Sequence, residues 1–148
     1  MQSSAVVCFK FKPCKQQHKW RLIKLNSKEK ALKAAHLALD KKAEDVIILN
    51  ISKLSSIADY LLICSGASDK QVQAIANSIE DGLKKNGTRP LSTEGIRDGR
   101  WALIDYGDVI AHIFLEPVRE FYNLEGLWSE APRIEVKDRV KKHANSES

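Results

Sequence analysis

The stretch RWALIDYGDVIAHIFLEP, Arg100 to Pro117, decides how this chain is read. WALID and VIAHIF are two runs of β-forming residues joined by Tyr106-Gly107-Asp108. A glycine in so short a connection supplies the positive φ that hairpin turns need. Strand alternation then sets Trp101, Leu103 and Asp105 on one side and Ala102, Ile104 and Tyr106 on the other. The same hairpin carries His112 beside Ile110 and Phe114. These polar and aromatic residues are candidates for catalysis, for gripping a partner, or for filling a core.

Outward from the hairpin, the elements alternate. NSKEKALKAAHLALDKK, opened by Asn26 or Ser27 as a cap, repeats Ala31, Leu32, Ala35, Ala38 and Leu39 at helical spacing. DVIILNI (45–51) and DYLLICSG (59–66) are short, continuously apolar runs, which predicts strands covered on both faces. Ser68 and Gln71 form an S-x-x-Q capping pattern, and Val72, Ile75, Ala76, Ile79 and Leu83 follow on one stripe up to Asn86-Gly87. TRPLST (88–93) reads as a short strand that Pro90 confines to an edge or a strand end. EPVREFYNLEGLW reads as one short helix with Pro117 in its first turn, an apolar face of Val118, Phe121 and Tyr122, and Gly126 at its end. The order α-β-β-α-β-β-β-α predicts an α/β domain over residues 26–132, with a mixed five-stranded sheet packed with helices. Residues 1–25 lack apolar periodicity and read as a flexible basic extension, and residues 133–148 as a polar C-terminal tail.

At 148 residues, 43% hydrophobic and 29% charged, the chain has the composition of one ordinary globular domain. It holds no apolar run of membrane-spanning length, so no membrane partner is expected. The opening MQSSAVVCFKFKPCKQQHKW carries only the short apolar patch Ala5–Val7 and has no Arg before Arg21, which suits neither a secretory nor a transit signal. A cytoplasmic protein is the expectation.

The net charge of +5 conceals an asymmetry. Residues 1–43 hold 11 Lys and Arg against 2 acids, whereas residues 44–132 hold 8 against 14. A folded body that grips nucleic acid should be basic, and this one is acidic. It is suited to a basic partner, with the N-terminal arm as a separate basic element. Of the three cysteines, Cys64 lies in the apolar run YLLIC and reads as a small core residue. Cys8, Cys14 and His18 match no zinc spacing and lack a fourth ligand, so no metal is expected.

Three blocks in this order carry a specific resemblance: ADYLLICSGASDKQVQAIANSIEDGL, EGIRDGRWALIDYGDVIAHIF and PVREFYNLEGLW. Together, from about Ser27 to Pro132, they resemble the ribosomal silencing factor family, RsfS, also called Iojap-like. The resemblance implies a small α/β protein of nucleotidyltransferase-like topology. It implies a factor that binds the large ribosomal subunit through its fourteenth protein, at the subunit-joining face. Small-subunit joining would thereby be blocked and translation lowered when nutrients are scarce. A homodimer is compatible with it, and ribosomal RNA is a candidate contact for the basic arm, which lies outside the resemblance.

An enzyme on the same fold is the alternative. SGAS before a helix has the form of a nucleotidyltransferase phosphate turn. That chemistry also needs two carboxylates on one strand face to hold Mg²⁺, and no D-x-D occurs in the chain. Asp105 and Asp108 are separated by the turn, and the Ser68 cap explains SGAS without a ligand. His112 has no nucleophile motif to serve, so it reads as a structural histidine. The expectation is a non-enzymatic binding protein without a cofactor. Its candidate contacts are Trp101, Asp105, Glu94, Leu103, Asp108 and Tyr106, with core filling as the alternative role for Trp101.

Overall fold

The computed structural model describes residues 25–136. In chain order its elements are α1 (Ser27–Asp40), β1 (Glu44–Asn50), β2 (Tyr60–Gly66), α2 (Asp69–Lys85), β3 (Ser92–Glu94), β4 (Trp101–Asp105), β5 (Val109–Leu115), α3 (Glu116–Tyr122), α4 (Leu124–Leu127) and β6 (Arg133–Glu135). The sheet runs β3-β4-β5-β2-β1-β6. Only β2 and β5 pair in parallel; the β1–β2, β1–β6, β3–β4 and β4–β5 pairs are antiparallel.

Both long helices start where their side chains satisfy the first free N–H groups. Asn26 accepts from Glu29 N at 2.8 Å while the Glu29 carboxylate accepts from Asn26 N at 3.1 Å, a complete capping box. At α2, Ser68 Oγ accepts from Gln71 N at 3.2 Å, but the Gln71 side chain reaches one residue further back, to Ala67 N at 2.7 Å. Its amide nitrogen also donates to the carbonyls of Lys41 and Lys42, which ties the two helix termini together.

The two helices cover one face of the sheet. α1 buries Ala31, Ala34, Ala35 and Ala38, and α2 buries Val72, Ile75, Ala76, Ile79 and Leu83 against Ile48, Leu62, Cys64, Ile104 and Ile113. Small residues let the helices approach closely: a Cβ at Gly82 would run into the Leu37 side chain. The other face carries a smaller cluster of Leu49, Ile51, Leu61, Ile63 and Phe114, partly covered by Val118, Leu124 and Trp128. The central strand β2 is thus buried on both sides, as its unbroken apolar run requires.

Four expectations are corrected. The sheet has six strands, because Arg133–Glu135, assigned to a polar tail, pairs with β1 through Ile47–Glu135, Ile48–Ile134 and Leu49–Arg133. Three residues are too few to show a period, and the strand is held by its ladder to β1 and by Ile134, which packs against the helix-side core. The edge strand after Pro90 lies at Ser92–Glu94, later than TRPLST suggested. The helix read over EPVREFYNLEGLW is two helices, broken at Asn123, whose φ of 47° is left-handed. Its expected apolar face holds only in part: Val118 packs on the sheet, but Phe121 is 81% exposed, and Arg119 is the buried residue of α3.

Candidate functional site

Sheet register places the hairpin side chains. Cross-strand partners share a face, and Glu94 pairs with Leu103, Leu103 with His112, Asp105 with Ile110, and Trp101 with Phe114. Trp101, Leu103 and Asp105 alternate with the buried Ala102 and Ile104, so they stand on the face that α1 and α2 leave uncovered. The structure brings Glu94 to the same face, on the exposed edge strand.

Trp101 is the centre of this patch. Its ring lies 4.9 Å from Phe114 beneath it and 4.6 Å from Tyr122, which α3 brings over from the side. Tyr122 in turn meets the exposed Phe121 edge-on at 5.1 Å. The indole Nε1 donates to His112 Nδ1 at 3.1 Å, so the histidine is hydrogen-bonded within the fold as expected. Burial pushes the His112 pKa down to about 4, and the ring is neutral at pH 7. An apolar, aromatic ridge therefore runs from Phe121 through Tyr122 and Trp101 to Leu103, with Asp105 and Glu94 at its far side. A partner with apolar side chains and positive charge fits such a surface.

Residues 24–148 match the family described as "Ribosomal silencing factor during starvation". The chain belongs to the ribosomal silencing factor family. It is 47% identical over 112 residues, 76% of this chain and 95% of the relative, to "Ribosomal silencing factor RsfS" of Bacillus subtilis. It is 33% identical over 106 residues, 72% of this chain and 44% of the relative, to "Protein Iojap, chloroplastic" of Arabidopsis thaliana. A crystal structure of a Chromobacterium violaceum protein superposes with a TM-score of 0.70 at 35% identity, covering 78% of this chain and 97% of that one.

Within this silencing-factor fold, two of the expected contact residues lie elsewhere. Tyr106 is 6% exposed and belongs to the core beneath the helices, because it continues the Ala102–Ile104 side of the strand. Burial, with the Glu80 charge adding to it, raises its pKa. Asp108 is not on the open face either. It pairs with Lys30 Nζ at 2.8 Å and accepts from Ser27 Oγ at 2.8 Å, at the start of α1. Burial works against the Asp108 carboxylate, but the Lys30 and Ser27 bonds outweigh it and its pKa is lowered. Asp105 remains on the face, though its Oδ1 also accepts from Gly107 N at 2.8 Å and shapes the turn.

Tyr122 and Phe121 were missed as members of the patch. The signal available was Pro117 just after β5, in the first turn of a helix that sets Tyr122 against Trp101 and Phe121 edge-on to Tyr122.

The nucleotide alternative meets a different geometry. The recess beside Ser65 is lined by four carboxylates, Asp45, Glu116, Glu120 and Glu125, against Arg119 and Arg133. Arg119 is committed there, to Glu125 at 2.9 Å, the Asp45 carbonyl at 2.9 Å and Ser65 Oγ at 2.7 Å. A site so rich in acid repels phosphate. Cys64 behind it is inert, its pKa pushed up to about 12 by burial, with Arg119 opposing. Among the described residues no group of His, Cys, Asp and Glu is arranged to hold a metal ion. No helix of these residues is long and apolar enough to cross a membrane. Cys8, Cys14, His18 and the basic arm lie outside the described residues.

Proposed function

We propose that this chain silences translation without catalysis, by docking its open sheet face on the fourteenth protein of the large ribosomal subunit and blocking small-subunit joining. The observation that carries this reading is the half-exposed Trp101, braced by Phe114 and Tyr122 and flanked by Asp105 and Glu94 on one uncovered face. A rigid aromatic in a preformed patch is the usual anchor of a protein interface, and acid beside it selects a basic partner. Family membership supports the ribosomal role, since the family is described as silencing ribosomes during starvation. The cytoplasm is the proposed site of action. The SGAS turn needs no phosphate to explain it, because Ser68 Oγ accepts from Gln71 N and the Gln71 side chain accepts from Ala67 N.

Steric blocking predicts a stoichiometric effect. Purified subunits mixed with the protein and resolved on sucrose gradients should stay apart at about one protein per large subunit, without nucleotide. Inhibition at a small fraction of the ribosome concentration, or only with nucleotide added, would bring back the enzymatic reading.

A further inference from the structure

We propose that His112 is a specificity-determining donor of this face: its Nε2–H is offered to a main-chain carbonyl of the docked protein, and Trp101 holds the imidazole in the tautomer that donates. The inference rests on the reading that this face docks a protein.

The argument begins with the indole, which can only donate. Because Trp101 Nε1 donates to His112 Nδ1 at 3.1 Å, Nδ1 is the acceptor, and a neutral ring then carries its proton on Nε2. Protonating Nδ1 would set two N–H groups against each other, and burial already favours the neutral ring. Phe114 stacks on the imidazole at 6.0 Å with the planes 11° apart, so the ring is fixed in orientation as well as in tautomer.

The Nε2–H has no acceptor among the described residues, yet it keeps access to solvent. The residue is only 8% exposed and stands between Leu103 on β4 and the buried Ile63 on β2. It is therefore a preset donor on an apolar floor, where none of the described residues answers it. A partner that covers the floor must supply an acceptor or leave the donor stripped of water, and that difference discriminates between partners. Asp105 and Glu94 share the face, and their charge disfavours a carboxylate at this position. A neutral oxygen remains; a main-chain carbonyl supplies one, but only a docked backbone that places it over this point of the floor answers the donor.

Three variants and one spectroscopic measurement test this. His112→Phe keeps a flat ring and removes both the Nε2 donor and the acceptor of the Trp101 bond; His112→Gln keeps both a donor and an acceptor; Trp101→Phe removes the internal bond alone and so serves as its control. Each is titrated at pH 7.5 against the isolated fourteenth protein of the large subunit, with thermal melts alongside. Long-range ¹H–¹⁵N spectra of the wild type report the tautomer, free and bound. The expected result is an Nε2–H tautomer whose proton becomes protected from exchange in the complex. His112→Phe should bind about 10- to 100-fold more weakly, with a Tm lowered no further than that of Trp101→Phe, which loses the same internal bond, while His112→Gln stays within about fivefold. Trp101→Phe should show a mixture of tautomers. Wild-type affinity in His112→Phe, or an Nε2 proton that still exchanges freely in the complex, overturns the inference and leaves the docking reading standing. Failure of the wild type to bind the partner overturns both.

Discussion

Arg119 Nη1 lies 2.7 Å from Ser65 Oγ, joining α3 to the end of β2 across 54 residues of sequence. The same guanidinium reaches the Asp45 carbonyl on β1 and the Glu125 carboxylate on α4. It sets α3 in place, and α3 sets Tyr122 against Trp101. The Arg119 partnership also lowers the Glu125 pKa. Arg119→Ala should therefore destabilise the protein by about 3 kcal/mol, because Ser65 and the Asp45 carbonyl lose their partner in a buried setting. Urea denaturation measures it. A change under about 1 kcal/mol would mean that the network is dispensable.

Trp101→Ala should weaken binding to the large-subunit protein by about 2 kcal/mol or more. It removes the anchor and frees the His112 ring together. Some stability is lost as well, since the indole packs on Phe114, but circular dichroism should still show the native fold. Full-strength binding by the folded variant would place the interface elsewhere.

At Asp105, two substitutions separate charge from turn geometry. Asp105→Asn keeps an oxygen for Gly107 N and should reduce binding by about threefold. Asp105→Lys reverses the charge and should reduce it on the order of 10-fold or more, with the loss appearing mainly as slower association at low salt. Stopped-flow association at several ionic strengths distinguishes the two. Equal rates for all three proteins would deny the acidic flank a role.

His112 also predicts an acid-labile step in stability. Its folded pKa is about 4 against an ordinary 6.5, so the unfolded chain takes up the proton first as pH falls. The neutral ring's contribution is complete above pH 6.5, declines between 6.5 and 4, and is spent below 4. The decline amounts to about 3 kcal/mol. Denaturation midpoints across that window should slope for the wild type and flatten for His112→Gln. Parallel slopes would assign the acid sensitivity to other groups.

Removal of residues 1–24 leaves Leu25, which packs on the helix-side core. The removed segment has no periodic apolar face, so stability should change by less than about 0.5 kcal/mol. If the arm touches ribosomal RNA, its removal should also flatten the salt dependence of large-subunit binding, because fewer counterions are released. A large fall in Tm would show the arm to be part of the fold.

What the sequence determined by itself was local or cumulative. The α2 stripe from Val72 to Leu83, the cap at Ser68, the α1 cap to within Asn26 or Ser27, and the split of Trp101, Leu103 and Asp105 from Ala102, Ile104 and Tyr106 each follow from periods of a few residues. Three blocks of residues were enough to reveal the family. Which strand face stays open is not a local property. It depends on where α1 and α2 pack, and that choice made Trp101 half-exposed and Tyr106 core. The second strand pair of β1, with Arg133–Glu135, needed partners more than eighty residues away. Nothing in its short helix singled out Arg119, because its partners Asp45 and Ser65 lie 74 and 54 residues away. Only tertiary structure brings such groups within hydrogen-bond reach, and a buried charge is stable only once they are there.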